Sequence, residues 1–370
     1  MTSVAWGVDQ VFAAVPGGIG TYVRELVPAL AAQDPSLRIT LFHARVDDAR
    51  PEPWMADFRT ETLSGTIQRL YPSWNLAGRP ALPPSLASHD VVHVPSCVAV
   101  PPTGPGRRLV VTVHDLAFRL YPDLFPPAWR AMFRLGLRRA VRTADAIVTV
   151  SRNTAEDLVR LTKVDPAKLH VVPLAASLPV SPLAVEPLLE RLKVRRPYLL
   201  SVGTLEPRKN LVRLVRAYRR AAAEGVPHVL VLAGPMGWGP QPLLRELRVP
   251  GPGEVVLTGA MAPDELDALY RGAAAFVYPS LYEGFGLPVV EAMSRGLPTV
   301  VSDVSSLPEV AGEAAIYVHP GSVRDLARAM QHAVEPEEAE RLGVAARARA
   351  DRFSWAETAR LTLEVYQKAG

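Results

Sequence analysis

The sequence predicts an α/β protein with two doubly wound parallel sheets, each covered by helices. Short runs rich in Val, Ile and Leu alternate with longer segments of helical period, and two such series follow one another. Buried parallel strands read as continuous apolar runs because helices cover both faces of the sheet. A chain of 370 residues also exceeds one ordinary hydrophobic core, so two domains are expected.

Each series contains six predicted strands. Those of the first are Val4–Val8, Arg38–His43, Val91–Val94, Leu109–His114, Ala146–Val150 and Leu169–Val172, with helices at Thr21–Ala32 and Ala128–Arg142. Those of the second are Tyr198–Val202, His228–Ala233, Glu254–Leu257, Ala274–Tyr278, Thr299–Val301 and Ile316–Val318, with helices at Leu211–Ala223 and Pro263–Arg271. The alternation of strand and helix indicates βαβ units in both halves.

A proline-rich stretch marks the predicted domain boundary. Residues 173–197 contain five prolines, which favour an extended connection. The predicted organisation is an N-terminal domain at 1–178, a linker at 179–196, a C-terminal domain at 197–352 and a final segment at 353–370. That segment contains a helix, Trp355–Lys368, whose apolar side chains need a surface to cover.

Composition excludes several classes of protein. Hydrophobic residues at 48% and charged residues at 21% are typical of a globular chain. The single cysteine, Cys97, cannot form an intramolecular disulfide, and no Cys/His spacing indicates a metal site. A net charge of +4 is small for this length, so nucleic-acid binding is not expected. Neither a signal peptide nor a membrane-spanning run is recognisable, so we expect a cytoplasmic protein.

The segment 279–293 carries the strongest indication of a ligand site. It follows a predicted strand, passes Gly-Phe-Gly, and enters a helix with Pro288 near its first turn. Such a helix start presents free N–H groups to a phosphate or another polar oxygen. Glu283 and Glu291 bracket the turn with seven residues between them, so both can face the carboxyl edge of the sheet. The alternative is a capping acid followed by a solvated acid.

A second segment, Gly203 to Asn210, also lies between a predicted strand and a helix. Its Arg208 and Lys209 combine a planar guanidinium, which can donate two parallel hydrogen bonds, with a compact ammonium charge. This pair suits a diphosphate and can stabilise a departing anion. Cations at a helix start oppose the helix dipole, so a nearby anion would be favourable. The alternative is a solvated basic pair.

Two weaker signals lie in the first half. The turn 16–22 joins the first strand to a helix, and its glycines permit close backbone approach to a phosphate. It is not a full G-x-G-x-x-G, and a flexible surface turn is the alternative. Val113-His114-Asp115 ends a strand, where His114 can hydrogen-bond a sugar hydroxyl and Asp115 can position it or cap the next turn. The alternative is a structural histidine.

Together these segments resemble the retaining glycosyltransferases of family 4, which have the GT-B fold of two Rossmann-like domains facing a central cleft. The resemblance covers nearly the whole chain. It is carried by the glycine-rich turn at 17–20, Val113-His114-Asp115, Val150-Ser151, Gly203 to Asn210, Gly259, and Glu283 to Glu291. The two spaced carboxylates are specific when combined with the Arg-Lys pair, whereas any one element is not.

The resemblance implies that the C-terminal domain binds a nucleotide-diphosphate sugar. Arg208 and Lys209 would contact the donor phosphates, Glu291 the ribose, and Glu283 the transferred sugar. From the opposite domain, His114 would lie beside that sugar, and the C-terminal helix at 353–370 would return to the N-terminal domain. The predicted catalytic residues are therefore His114, Arg208, Lys209 and Glu283. The other predicted donor-binding residues are Gly18, Asp115, Gly203, Gly259, Phe285, Gly286, Leu287 and Glu291.

The resemblance also implies the chemistry. A same-face substitution is expected, in which the leaving phosphate helps to deprotonate the acceptor, and neither a metal nor another cofactor is expected. The segments 203–210 and 279–309 most resemble bacterial mannosyltransferases of surface-polysaccharide assembly. GDP-mannose is therefore the predicted donor, and a glycan or lipid-linked molecule the predicted acceptor. The alternatives are a UDP- or GDP-glucose-type donor with a small-molecule acceptor, a nucleotide-sugar epimerase of similar shape, or a silent carbohydrate-binding protein.

One predicted helix has a basic, amphipathic character. Every fourth residue is an arginine, and an apolar stripe lies beside them: Arg130, Arg134, Arg138 and Arg142, with Trp129, Phe133, Leu137 and Val141. One interpretation is a surface helix whose stripe packs on the sheet while its arginines are solvated. The other is peripheral contact with an anionic membrane at its inner face, from which a lipid-linked acceptor would enter.

Overall fold

The computed structural model describes residues 2–13, 15–47, 50–104 and 106–368. The chain forms two compact units. The first extends to Leu174 and includes the chain from Ser354 onwards, and the second is Ala175–Phe353. The ends of the predicted domain organisation, residue 1 and residues 369–370, lie outside the described residues.

A parallel sheet forms the centre of the first unit. Among the described residues it has seven strands, in the order β3-β2-β1-β4-β5-β6-β7. These strands are β1 (Ser3–Gly7), β2 (Arg38–His43), β3 (Arg59–Thr62), β4 (Val91–Val94), β5 (Arg108–Val113), β6 (Ala146–Thr149) and β7 (Leu169–Val171). The sequence did not predict β3, because its four residues are polar and, at the sheet edge, largely exposed.

The second unit has its own parallel sheet. In the described chain its order is β10-β9-β8-β11-β12-β13. The strands are β8 (Tyr198–Val202), β9 (Val229–Ala233), β10 (Val255–Gly259), β11 (Ala275–Tyr278), β12 (Thr299–Ser302) and β13 (Ile316–Val318). All six were predicted to within two residues. The predicted fold class, α/β with two parallel-sheet domains, is confirmed.

Helices connect most of the strands in both units. In chain order they are α1 (Gly17–Gln33), α2 (Ile67–Ala77), α3 (Pro84–Ala87), α4 (Ala117–Leu120), α5 (Pro127–Thr143), α6 (Arg152–Leu161), α7 (Val185–Leu192), α8 (Leu211–Ala223), α9 (Gln241–Arg248), α10 (Pro263–Gly272), α11 (Leu287–Ser294), α12 (Leu307–Ala311), α13 (Val323–Ala333), α14 (Pro336–Ala350) and α15 (Trp355–Lys368). Short 3-10 turns lie at Asp9–Phe12, Pro53–Asp57, Pro122–Leu124, Pro166–Lys168 and Pro207–Lys209.

The segment 179–196, predicted as a linker, lies in the second unit and contains α7. Pro187 is the third residue of that helix, where its missing N–H costs no intrahelical hydrogen bond. The Ser181 N–H donates to Asp267, and the Arg295 guanidinium donates to the Pro179 carbonyl. These hydrogen bonds hold the segment against the second domain.

The apolar stripe of α5 packs into the core of the first unit. Leu137 is buried, and Phe133 and Val141 pack against the core, whereas Trp129 is 50% exposed. Of the four arginines, Arg138 and Arg142 are exposed and the two earlier ones are partly covered. Most of the apolar stripe therefore packs inside the first unit, and the exposed face of α5 carries the positive charge of Arg138 and Arg142.

Candidate active site

The turn after β8 is shaped by two unusual backbone conformations. Gly203 has φ +144°, and a Cβ there would lie 3.4 Å from the Lys209 side chain, so glycine leaves room for that side chain. Asn210 has φ +59°, and its Nδ2 donates to the Pro279 and Pro320 carbonyls at 3.0 and 2.8 Å. The turn is thereby fixed to the segment that follows β11.

Four charged side chains meet at this edge of the sheet and form what we call the charged cluster: Glu206, Arg208, Lys209 and Glu283. Lys209 Nζ donates to one Glu283 oxygen at 2.6 Å, and Arg208 Nη1 donates to the other at 2.7 Å. Arg208 also binds Glu206 at 2.6 Å. The four side chains are only 3–15% exposed. The basic pair is therefore not solvated, contrary to the alternative interpretation.

The charges in this cluster balance. Burial alone would raise the pKa of Glu283, but Arg208 and Lys209 outweigh it and lower that pKa to about 2. Burial and Arg208 together lower the pKa of Lys209, against the opposing effect of Glu283. Two cations thus face two carboxylates, one of which, Glu206, the sequence did not single out.

Lys209 has a further neighbour that sequence reasoning missed. Its Nζ donates to the Tyr278 hydroxyl and lies 4.9 Å from the centre of that ring. Tyr278 is the last residue of β11, and only its strand-end position could have drawn attention to it. The ammonium group is held by one carboxylate and one ring.

The helix start beyond Glu283 presents unpaired backbone donors. Ser306 Oγ donates to the Glu283 and Phe285 carbonyls, which fixes the loop. Gly286 precedes α11 with φ +105°. Within the described chain, the N–H groups of Phe285, Gly286 and Leu287 donate to no protein acceptor. Three free donors beside the charged cluster form a site for a polar or anionic ligand oxygen.

Glu291 lies on α11 and is held by neutral donors. Ser177 Oγ donates to one carboxylate oxygen at 2.9 Å, and the Tyr270 hydroxyl donates to the other at 3.1 Å. Burial raises the pKa of Glu291, although these hydrogen bonds oppose the shift. A solvated helix acid is therefore the wrong interpretation of this residue. The sequence indicated neither Ser177 nor Tyr270, because both lie far from Glu291 in the chain.

Gly259 ends β10 at the same sheet edge. Its φ is +72°, and its carbonyl accepts the Gly234 N–H at 2.9 Å. Among the described residues, no non-neighbouring atom lies within 4 Å of the position of a Cβ there, so its backbone conformation alone favours glycine. The predicted donor-binding residues of the second half thus converge on one edge of one sheet.

In the first unit, His114 follows directly after β5. Its Nε2 donates to the Pro95 carbonyl at 2.8 Å, which leaves Nδ1 as the acceptor. The His114 and Tyr22 rings pack in a T shape, with their centroids 5.0 Å apart. Burial lowers the pKa of His114 to about 4, so the ring is neutral at pH 7. Asp115 accepts the Ala117 N–H at 3.0 Å and so caps the next turn. A sugar contact by His114 stays a prediction.

A buried polar network lies behind His114. Tyr22 and His93 both contact the Thr112 hydroxyl, at 3.0 and 2.8 Å. His93 also contacts the Tyr366 hydroxyl of α15 at 2.7 Å, and Trp6 Nε1 donates to the same hydroxyl at 2.9 Å. The C-terminal helix is therefore tied to the sheet beneath His114.

The glycine-rich turn is part of a helix. Helix α1 starts at Gly17, four residues earlier than predicted, so Gly18 is its second residue. Gly17 has φ +59°, and a Cβ on Gly20 would lie 2.3 Å from the Pro16 side chain. A flexible surface turn is therefore wrong for most of this segment, and Gly18 lies in the first turn of a helix after β1.

The described residues contain neither a cluster of metal-ligating side chains nor a membrane-spanning helix. Within residues 2–13, 15–47, 50–104 and 106–368, no three His, Cys, Asp or Glu side chains are grouped so that they could hold a metal ion. In the same residues, no helix combines the length and apolarity needed to cross a bilayer.

Comparison with known proteins identifies the family. Residues 190–349 match the model "Glycosyl transferases group 1", and residues 16–178 match "Glycosyltransferase Family 4". O-antigen chain mannosyltransferase B of Escherichia coli is 33% identical over 70% of each chain. The MMP alpha-(1->4)-mannosyltransferase of Mycolicibacterium hassiacum is 30% identical over 95% of each chain. The chain therefore belongs to the group 1, family 4 glycosyltransferases.

Two further likenesses carry less weight, one because it covers a minor part of the relative and the other because its sequence identity is low. The serotype-specific mannosyltransferase WbdA of E. coli is 32% identical, but the match covers 73% of this chain and only 35% of that protein. Sucrose-phosphate synthase from Thermosynechococcus elongatus has a TM-score of 0.77 over 100% of this chain and 99% of its own, at 22% identity. The second likeness supports the GT-B fold.

Proposed function

We propose that this glycosyltransferase moves mannose from GDP-mannose to a glycan or lipid-linked acceptor in bacterial surface-polysaccharide or glycolipid synthesis, with retention of configuration. The observation that carries the proposal is the charged cluster beside the three free N–H groups at the start of α11. Mannose is supported by relatives that are themselves named mannosyltransferases. Family membership favours transfer over the epimerase and silent-binding alternatives.

The cluster supports a specific division of roles. Arg208 and Lys209 stabilise charge on the leaving diphosphate, since both are largely buried and are preorganised by Glu283. The neutral donors around Glu291 orient that carboxylate, which suits a pair of ribose hydroxyls. No divalent cation is required in this proposal, because the two side-chain cations act in its place.

The test is a donor panel with product analysis. GDP-mannose, GDP-glucose and UDP-glucose are each incubated with and without a mannan-type acceptor, in buffer containing EDTA. We expect acceptor-dependent release of GDP from GDP-mannose and an α-linked product by NMR. Faster turnover of either glucose donor would replace the proposed sugar, and an inverted linkage would contradict retention. Activity that EDTA abolishes and Mg²⁺ restores would contradict metal independence.

Variants connect this activity to the cluster. Arg208→Ala and Lys209→Ala should each lower turnover at least about tenfold, equivalent to about 1.4 kcal/mol of transition-state stabilisation. Arg220→Ala is the matched control, because Arg220 is an exposed arginine on α8. A variant of the pair that keeps wild-type turnover would contradict the role assigned to that residue.

We also propose peripheral contact between the basic face of α5 and an anionic membrane. Exposed Arg138 and Arg142, and half-exposed Trp129 near the start of the same helix, are the groups that support it. Cosedimentation with vesicles of phosphatidylglycerol and phosphatidylcholine should fall in Arg138→Gln/Arg142→Gln. The matched control is Arg324→Gln/Arg328→Gln on α13. Equal binding by both double variants, or none by the wild type at low salt, would contradict the proposal.

A further inference from the structure

A cavity of about 580 Å³ lies in the first unit at the amino ends of β1, β2 and β3. Ser3, Arg38 and Arg59, the first residues of these strands, line it. In a parallel sheet the amino and carboxyl ends lie at opposite edges, and His114 follows the carboxyl end of β5. The cavity is therefore separate from the candidate active site.

Two arginines share one wall of this cavity. Thr40 is in register with Arg59, and Arg38 lies two residues before Thr40, so all three project from the same face of the sheet. Within the described part of the chain, neither guanidinium makes a hydrogen bond or an ion pair with a protein acceptor. Two planar donors of like charge at one cavity favour an anion that both can bind, such as a phosphate.

One acidic and several apolar side chains of the lining do not match a bare phosphate. Asp57 also lines the cavity and makes no side-chain ion pair among the described residues, so it repels an anion but accepts hydrogen bonds from hydroxyls. Leu37, Ile39 and Phe58 add apolar surface. The volume lies within the range of small-molecule sites, roughly 300–1,000 Å³. A matching ligand has an anionic end, hydroxyls at a distance from it, and a C–H-rich body.

We propose that this cavity binds a phosphorylated monosaccharide, with the phosphate between Arg38 and Arg59 and a hydroxyl on Asp57. The proposal does not depend on the donor or the acceptor of the transferase reaction. It assigns the first domain a second ligand site, at the sheet edge opposite its glycine-rich helix start.

Isothermal titration with mannose 6-phosphate tests the proposal, with saturating GDP present to occupy the donor site. We expect one site per chain, with a dissociation constant of about 1 mM or tighter. Neutral mannose and inorganic phosphate should each bind at least about tenfold more weakly, since each lacks one half of the matching chemistry. Hydrogen exchange on the wild-type protein should show ligand-dependent protection in the segments 38–40 and 57–59.

Paired variants locate the binding. Arg38→Gln/Arg59→Gln should weaken mannose 6-phosphate at least about tenfold, whereas Arg69→Gln/Arg328→Gln removes two other exposed arginines and should not. Equal affinity in both double variants, protection confined to other segments, or no binding by the wild type would overturn the site. Inorganic phosphate binding as tightly as the sugar phosphate would overturn the saccharide assignment.

Discussion

Glu283→Gln is the most informative single substitution in the charged cluster. The carboxylate accepts two charge-assisted hydrogen bonds, from Lys209 and Arg208, and only 8% of its side chain is exposed. A glutamine has the same shape but no charge, and it turns an N–H₂ group toward one of the two cations. The variant leaves Lys209 with the Tyr278 hydroxyl and ring as its neighbours.

The expected loss of stability follows from this geometry. Removing one partner of a buried ion pair costs about 3–5 kcal/mol, because the remaining charge stays desolvated. For a domain of this size, that corresponds to a fall of about 6–20 °C in the melting temperature. Glu291→Gln is the matched control, since its partners Ser177 and Tyr270 are neutral donors, and we expect a loss of only about 1 kcal/mol.

The stability that Glu283 contributes should depend on pH. The pKa of Glu283 is lowered to about 2, so its contribution to stability is complete above pH 4.5 and is lost as the pH falls from 4.5 toward 2. Glu283→Gln should lack this part of the pH dependence. Chemical denaturation of both proteins between pH 7 and pH 3 measures it.

Ligand binding separates the two acids further. Glu283→Gln frees Arg208 and Lys209 from their carboxylate, so GDP should bind at least as tightly as in the wild type while sugar transfer falls. The reasoning is refuted if Glu283→Gln is as stable as Glu291→Gln, or if both variants lose GDP affinity equally.

Three further outcomes are expected. Glu291→Ala should weaken GDP binding by about tenfold in titration calorimetry, and unchanged affinity would contradict the ribose role. Tyr366→Phe should lower the free energy of unfolding by about 1–3 kcal/mol, because Trp6 Nε1 then loses its buried acceptor. A variant as stable as the wild type would contradict this role of the hydroxyl. Burial lowers the pKa of His93 to about 3, so the contribution of the neutral ring to the free energy of unfolding is complete above pH 6.5. That contribution falls by about 2 kcal/mol by pH 5. In His93→Gln, the free energy of unfolding should lack this pH dependence.

The sheets of this protein were predictable because buried parallel strands are short, nearly continuous apolar runs in the sequence. Each of the twelve predicted runs is apolar, and each became a strand. Strand β3 has the sequence RTET, and nothing in it indicates burial. It forms because its backbone pairs with β2, a partner that lies outside its own sequence window.

The chain's own sequence determined which residue types stand at each strand end, and hence that Arg208, Lys209, Glu283 and Glu291 gather at one edge of a sheet. Strand polarity alone requires this, since parallel strands end together. The tertiary structure alone decided the partners of these side chains. Glu283 neutralises two cations while Glu291 is held by Ser177 and Tyr270, because hydrogen bonds and desolvation depend on neighbours brought together by folding from distant parts of the chain.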